Sequence, residues 1–311
     1  MKLAIEAWAP EYGSPIEAEA LQPTDAPVDV DIELPAAGWR PLSPAAGVTT
    51  PDRIAFVDGV RRIDARVWIT ADDDVPRPGL LASFAAGVAC CEGAAARIEA
   101  VEVRRALFAR APAPDLDTKA GRYAVNAVAS DDGDQLALEL QQRMRHLERD
   151  VAEWARNAGD DGRVTLVVLD GPLAGGQNLP GAVGYAKTHH VAYLEPGPAR
   201  TVALLETGQR SPLFVIGSRW SRWSWYVRLP GPRVHPWAGI VRCEASAEVP
   251  LDDAQALADR TALVLPRFAS AAHKDPRAPQ NLYPIAALER ELRHRLGDAA
   301  WVYRALRAAA G

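Results

Sequence analysis

Long apolar runs are missing from this chain of 311 residues. None approaches the roughly 18 residues that a membrane-spanning helix needs, which excludes a helical span. Cysteine is scarce as well, with only Cys90, Cys91 and Cys243. That spacing yields neither a disulfide framework nor a thiolate metal site, so a reducing cytoplasmic setting is expected. The opening Met1-Lys2-Leu3-Ala4-Ile5-Glu6 meets an acid too soon for a secretory signal. No His/Cys clustering of the kind zinc selects occurs. The adjacent pair His189-His190 would point to opposite faces of a strand, which favours a structural or DNA-facing role over a metal site. Internal repeats and low-complexity tracts are absent. One further absence is local: between Thr207 and Cys243 there is no acidic residue.

What is present is the composition of an ordinary globular protein, 48% hydrophobic and 24% charged. The net charge of −5 hides an asymmetry. From Pro198 onward 15 Arg and one Lys face 10 Asp and Glu, a net of +6, which leaves −11 on the rest of the chain.

Residues 1–52 are rich in Pro, Ala and acid, with Val28–Leu34 the only clean alternation. They read as an N-terminal extension carrying one strand on a sheet edge, ahead of a main domain over 53–311. Strand-like segments follow at Ile54–Val57, Arg62–Thr70, Leu80–Cys91 and Ile98–Phe108, then a loop with a short strand over Ala111–Asp132. Gly133–Asn157 is the clearest helix: Leu136, Leu140, Met144, Leu147, Val151 and Trp154 recur every three or four residues. Further strands are predicted at Leu166–Asp170, Ala182–Ala186, Val191–Leu194, Thr201–Leu205, Leu213–Ile216, Trp223–Leu229 and Ile240–Cys243. Helices over Asp252–Val264, Ile285–Leu296 and Ala299–Ala309 close the chain. A meander, a helix and then a strand laid beside the first is the order of a ribonuclease H-like fold. The expected class is therefore α/β, a mixed sheet flanked by helices with an elaborated C-terminal region.

Two apolar runs end alike, Ile54-Ala55-Phe56-Val57-Asp58-Gly59 and Leu166-Val167-Val168-Leu169-Asp170-Gly171. Each reads as a buried strand with a carboxylate at its C-terminal tip, where open sheets usually do chemistry. Asp-Gly is also a turn signal, and a hairpin at Asp58-Gly59 is the plainer reading. A pair of converging carboxylates is the minimum for holding a divalent ion against a phosphate. A third should come from the helix, at the edge of its buried stripe, since full burial is costly. Glu148 lies roughly 90° from the stripe centre and Glu153 roughly 130° away on the solvent side. Glu148 is preferred and Glu153 is the alternative, with Glu139 on the opposite edge. Carboxylates select hard ions, Mn²⁺ or Mg²⁺. Lys187, near the same sheet edge, is a candidate to hold a phosphate as a point charge, or else an exposed strand-end lysine.

The acid-free stretch interleaves Arg210, Arg219, Arg222, Arg228, Arg233 and Arg242 with Trp220, Trp223, Trp225, Tyr226 and Trp237. Alternation puts Trp223 and Trp225 on one face and Arg222, Tyr226 and Arg228 on the other. The division expected is a tryptophan core face and a DNA track of Arg210, Arg222, Tyr226 and Arg228, suited to single strands. The competing reading is a tryptophan-rich core or dimer interface with solubilising arginines.

With these residues in hand, the chain resembles the NurA family of DNA-repair nucleases. The matching stretches are Phe56-Val57-Asp58-Gly59-Val60-Arg61-Arg62, Arg145-His146-Leu147-Glu148, and Val167-Val168-Leu169-Asp170-Gly171-Pro172-Leu173. Gly184-Tyr185-Ala186-Lys187 is similar to the family's lysine-bearing strand, and Asn281-Leu282-Tyr283-Pro284 to its Tyr-Pro motif. The resemblance implies a manganese-dependent nuclease with Asp58, Glu148, Asp170 and Lys187 at its site. It also implies a homodimer that works with a hexameric HerA-type ATPase in DNA end resection. Two positions depart from the family: Val60 and Pro172 stand where it commonly has Ser. Its late histidine is not evident, and Glu291 and His294 are the candidates to replace it beside Tyr283. The expected function is a metal-dependent DNA exonuclease or single-strand endonuclease. The alternatives are a catalytically impaired DNA-binding adaptor of an ATPase complex, and a small-molecule phosphohydrolase.

Overall fold

Alternating and continuous apolar segments resolve, in the computed structural model, into thirteen strands and five α-helices among the described residues. Those residues are 22–70, 74–110, 113–158, 165–173, 179, 181–217 and 220–309. Met1–Glu6 and Arg219, both used above, lie outside them. The strands are β1 (Gln22–Pro23), β2 (Val28–Asp29), β3 (Arg53–Thr70), β4 (Pro76–Glu92), β5 (Ala95–Ala109), β6 (Leu116–Thr118), β7 (Gly121–Ala127), β8 (Thr165–Asp170), β9 (Ala182–Ala186), β10 (Val191–Ala192), β11 (Phe214–Ile216), β12 (Arg222–Arg228) and β13 (Ile240–Ser246). The helices are α1 (Gly133–Asn157), α2 (Pro196–Leu204), α3 (Leu251–Val264), α4 (Tyr283–Arg295) and α5 (Ala299–Ala309). No described helix is long and apolar enough to cross a membrane.

The described residues fall into two compact units. One holds those of Met1–Phe56, Cys90–Ala96 and Arg156–Ala286, the other those of Val57–Ala89, Arg97–Ala155 and Ala287–Gly311. In the first, the strands run β2-β11-β12-β13-β9-β8, followed by the opening residues of β3. β8 and β9 are parallel, while β9–β13, β13–β12, β12–β11 and β11–β2 are antiparallel, so the sheet is mixed. Both of its faces are covered. On one, the indole of Trp225 donates to Thr261 Oγ1 of α3 at 2.9 Å. On the other, Trp39, Val202, Leu205, Phe214, Ile216, Tyr226 and Ile240 form one apolar cluster. The alternating Val28–Leu34 segment does reach the sheet edge, but only Val28 and Asp29 pair there. The Thr201–Leu205 strand predicted from its apolar, β-branched composition is instead part of α2. Pro196 opens that helix where its missing N–H costs nothing, and Thr201 and Val202 bury its inner side.

In the second unit the order is β3-β4-β5-β7-β6, with β5 and β7 parallel and β6 and β7 antiparallel. α5 packs Val302 and Leu306 onto Leu81, Leu107 and Tyr123. A methyl group at Gly87 of β4 would touch Leu288 and Leu292 of α4 at 3.2 and 3.3 Å, so that helix lies close on the strand. α1 has the predicted bounds and buries Leu136, Leu140, Met144, Leu147 and Val151. Trp154 departs from the stripe, at 43% exposure, while Ala152 and Ala155 are buried. The stripe drifts around the helix because four-residue steps overshoot a turn of 3.6.

β3 corrects the reading of Asp58-Gly59. It is neither a strand tip nor a hairpin turn, because the strand runs through it to Thr70. Gly59 is not among the glycines with positive φ, so it serves as extended backbone. Burial is unbroken up to Asp58 and irregular after Val60, as the strand passes from core to a surface with one solvated face.

Candidate functional site

Parallel pairing of β8 with β9 brings their C-terminal ends to one edge. Asp170 is the last residue of β8 and pairs with Tyr185, and Lys187 follows the end of β9. Gly171 then takes a φ of +97°, a conformation in which a side chain would be strained. It turns the chain back so that Gly171 and Tyr185 exchange backbone hydrogen bonds at 2.9 and 2.8 Å. Gly184 makes room for this: a Cβ there would stand 2.8 Å from the Leu173 nitrogen and 2.9 Å from its Cγ. Behind the turn the wholly buried Glu244 accepts from the Leu173 N–H at 3.1 Å, Arg222 Nε at 2.9 Å and Arg242 Nη2 at 2.8 Å.

At that edge Lys187 Nζ lies 2.7 Å from Asp170 Oδ2 and donates to Asn281 Oδ1 at 2.9 Å. Asp170 Oδ1 is buried without a hydrogen-bond partner. The pair opens on a cavity of about 510 Å³ whose wall includes Tyr185, His190, Tyr193, Arg242 and Arg277. Burial pulls the Arg242 guanidinium down, but the Glu244 carboxylate together with Tyr226 and Tyr193 more than offsets it, and Arg242 stays protonated above its ordinary range. Its guanidinium also lies 4.5 Å from the Tyr193 ring centre. Burial pushes the Tyr185 hydroxyl well up, so it remains a donor, to Gln280 O at 2.6 Å. His190 faces the cavity, whereas His189 is buried, 3.0 Å from Ile240 O. Burial drives the His189 pKa down to about 4, so at neutral pH it is uncharged and Nε2–H donates.

Among the described residues no three His, Cys, Asp or Glu side chains are grouped to hold a metal ion. Within this unit, the buried and unpartnered Oδ1 of Asp170 fits one bond to a hard cation. Its other oxygen is held by Lys187.

Asp58 and Glu148 belong to the second unit. Asp58 is buried and its Oδ1 accepts from the Gly59 N–H at 2.8 Å. Glu148 is half-buried and lies over Gly59, where a Cβ would meet its Oε1 at 2.5 Å. Glu153 is exposed and 3.5 Å from Arg149, and Glu139 is engaged by Arg143 and Asn126. Of the helix acids, Glu148 is thus the one set against the strand that carries Asp58. Glu291 is ion-paired with Arg295 at 2.7 Å, and His294 is exposed.

Three members of the expected DNA track are interior residues. Arg210, Tyr226 and Arg228 are 3%, 2% and 1% exposed. Arg210 joins Glu33 at 2.8 Å and Asp259 at 2.5 Å. Arg228 donates to the carbonyls of Ala203, Pro236 and Ala238, and burial lowers its pKa to about 10. Tyr226 stacks on Phe214 with ring centres 5.8 Å apart. Arg222 is half-buried against Glu244. The track reading fails because alternation separates two faces without saying which is wet, and here both are covered.

Asn281 and Asp275 were missed. The Asn-Leu-Tyr-Pro motif directed attention to Tyr283, which is 38% exposed and accepts from the Ala271 N–H at 3.1 Å. No spacing in the sequence marks Asn281 as the partner of a lysine 94 positions earlier.

No family model and no curated protein sequence matches this chain. Among solved structures it is similar to the NurA nuclease from Sulfolobus solfataricus, at a TM-score of 0.44 and 10% identity over 83% of this chain and 84% of that one. It is also similar to endonuclease V from Bacillus subtilis, at a TM-score of 0.29 and 11% identity over 81% and 85% of the two chains.

Proposed function

We propose that this chain is a metal-dependent DNA nuclease, a phosphodiester hydrolase. The observation that carries the reading is the Asp170–Lys187 pair at the C-terminal edge of β8 and β9, opening on a cavity walled by Arg242, Arg277 and His190. An aspartate oxygen left unpartnered in a buried place is suited to a hard cation, and a cation-walled cavity is suited to phosphate. Asp170 would be a ligand for Mn²⁺ or Mg²⁺; Asp58 and Glu148 are named as further carboxylates on the resemblance of the sequence motifs alone. Such an ion, when bound, supplies charge neutralisation and an activated water. Lys187 would hold a phosphate oxygen: an ammonium has three donors, and two are taken by Asp170 and Asn281. A ribonuclease H-like core is supported by the meander of β3, β4 and β5 ahead of α1 and by the parallel β8 and β9 after it. Action on DNA ends as a cytoplasmic homodimer with a HerA-type hexameric ATPase rests on the resemblance of the sequence motifs.

The test is degradation of linear duplex and single-stranded DNA with Mn²⁺, with Mg²⁺ and with EDTA. Cleavage is expected with either ion and none with EDTA. Asp170→Asn and Asp58→Asn are each expected to lower it at least about a hundredfold while the far-UV spectrum is unchanged. Full activity in either variant overturns the assignment. The pairing of Glu291 with Arg295 favours a second reading, the impaired DNA-binding adaptor. Salt-sensitive DNA binding with no cleavage under any of these conditions would select it.

A further inference from the structure

Asn281 is fully buried, yet each end of its amide meets a charged group. Oδ1 accepts from Lys187 Nζ at 2.9 Å, and Nδ2 donates to Asp275 Oδ2 at 2.7 Å. An ionised carboxylate only accepts, so Asp275 dictates which way the amide faces: nitrogen toward itself, oxygen toward Lys187. Asp275 is itself buried, and its Oδ1 accepts the Arg277 backbone N–H at 2.8 Å. The Asn281 backbone is held too, by its own N–H to Arg277 O at 3.0 Å. The neighbouring Gln280 carbonyl takes the Tyr185 hydroxyl at 2.6 Å, which ties this segment to β9 two residues before Lys187.

A lysine ammonium rides on four flexible methylenes and, left alone, samples many rotamers. Here two acceptors from different parts of the chain, Asp170 and Asn281, fix it, and one N–H is left over at the cavity wall. We propose that Asn281, oriented by Asp275, is the positioning residue of Lys187, aiming its third N–H at the phosphate oxygen of the bound strand. The phosphate rests on the nuclease reading above; the positioning of the ammonium does not.

The chain contains four lysines, Lys2, Lys119, Lys187 and Lys274, so its ammonium groups can be followed one by one in ¹⁵N-lysine-labelled full-length protein. A fixed ammonium exchanges its protons slowly and gives a resonance, assigned to Lys187 by its loss in Lys187→Arg. That resonance is expected to persist in the native chain and to vanish in Asn281→Leu. It should weaken in Asp275→Asn, where the amide is no longer oriented. The exchanged pair Asp275→Asn with Asn281→Asp restores every bond. Asn at 275 accepts from the Arg277 N–H and donates across, and the carboxylate at 281 accepts from both sides. The resonance should return in it. In DNA cleavage Asn281→Leu is expected to lower kcat about 10- to 100-fold with KM nearly unchanged, and the exchanged pair to recover most of that loss. An unaltered Lys187 resonance in folded Asn281→Leu overturns the proposal, as does an exchanged pair that folds but recovers neither readout. If the native chain cleaves no DNA while the resonance behaves as described, the nuclease reading fails and the positioning of Lys187 stands.

Discussion

His189 shows how burial sets the behaviour of one residue. Its imidazole is enclosed by Tyr226 and Trp237, with ring centres 5.7 and 5.5 Å away, and burial holds its pKa near 4. In the unfolded chain the same group titrates near 6.5. Above that pH it is neutral in both states, and its contribution to stability is complete. As the pH falls from about 6.5 toward 4 the unfolded chain takes up the proton first, so stability is lost across that window, by roughly 3 kcal/mol in all. Urea denaturation at pH 7 and pH 4.5 should show the loss, and His189→Gln should reduce it relative to the native chain. An identical pH dependence in the variant would mean that other groups carry the acid sensitivity. Which of two adjacent histidines is buried was not legible in His189-His190; only the packing of β12 and β13 decides it.

At the scale of elements, the closure of the chain over β9 depends on a glycine, and on α1 the side chain of Glu148 lies over another. Gly184→Ala would put a methyl group 2.8 Å from the Leu173 backbone nitrogen, which cannot yield as a flexible side chain does. The strand or the turn after Asp170 must move, at a cost of about 1–3 kcal/mol. A lowered Tm together with impaired cleavage is expected, and native values of both would show that the turn has slack. On α1, Glu148→Gln should abolish cleavage, whereas Glu153→Gln should leave it within about twofold, because Glu153 is an exposed partner of Arg149. Equal loss in both variants would remove Glu148 from the site. Periodicity located α1 to the residue and singled out Glu148 by its angle from the apolar stripe. It misplaced Trp154 at the stripe's end and took α2 for a strand, since Thr201–Leu205 is apolar and β-branched either way. The strand break placed at Asp58-Gly59 failed for a related reason: Asp-Gly permits a turn but does not compel one.

For the whole molecule, the acid-free stretch is a matter of where its counter-charges come from. Arg210 draws Glu33 and Asp259 from far away in sequence, and Glu244 serves both Arg222 and Arg242. Arg210→Met would leave Glu33 and Asp259 facing each other without a cation in a largely buried place. A loss of about 3–5 kcal/mol is expected in chemical denaturation. A loss below about 1 kcal/mol would show that water reaches the two acids. By itself the sequence determined the mixed α/β class, most of the strands, four of the five described helices, and the places of Asp170 at a strand tip and of Lys187 near the same sheet edge. These are local properties, carried by period, turn chemistry and short motifs. The tertiary structure alone decided that Asp170 and Lys187 pair, that Arg210, Tyr226 and Arg228 lie inside and that Asn281, not Tyr283, reaches Lys187. Burial and partnership depend on what covers each face of a sheet, and the covering groups come from segments tens to hundreds of residues away.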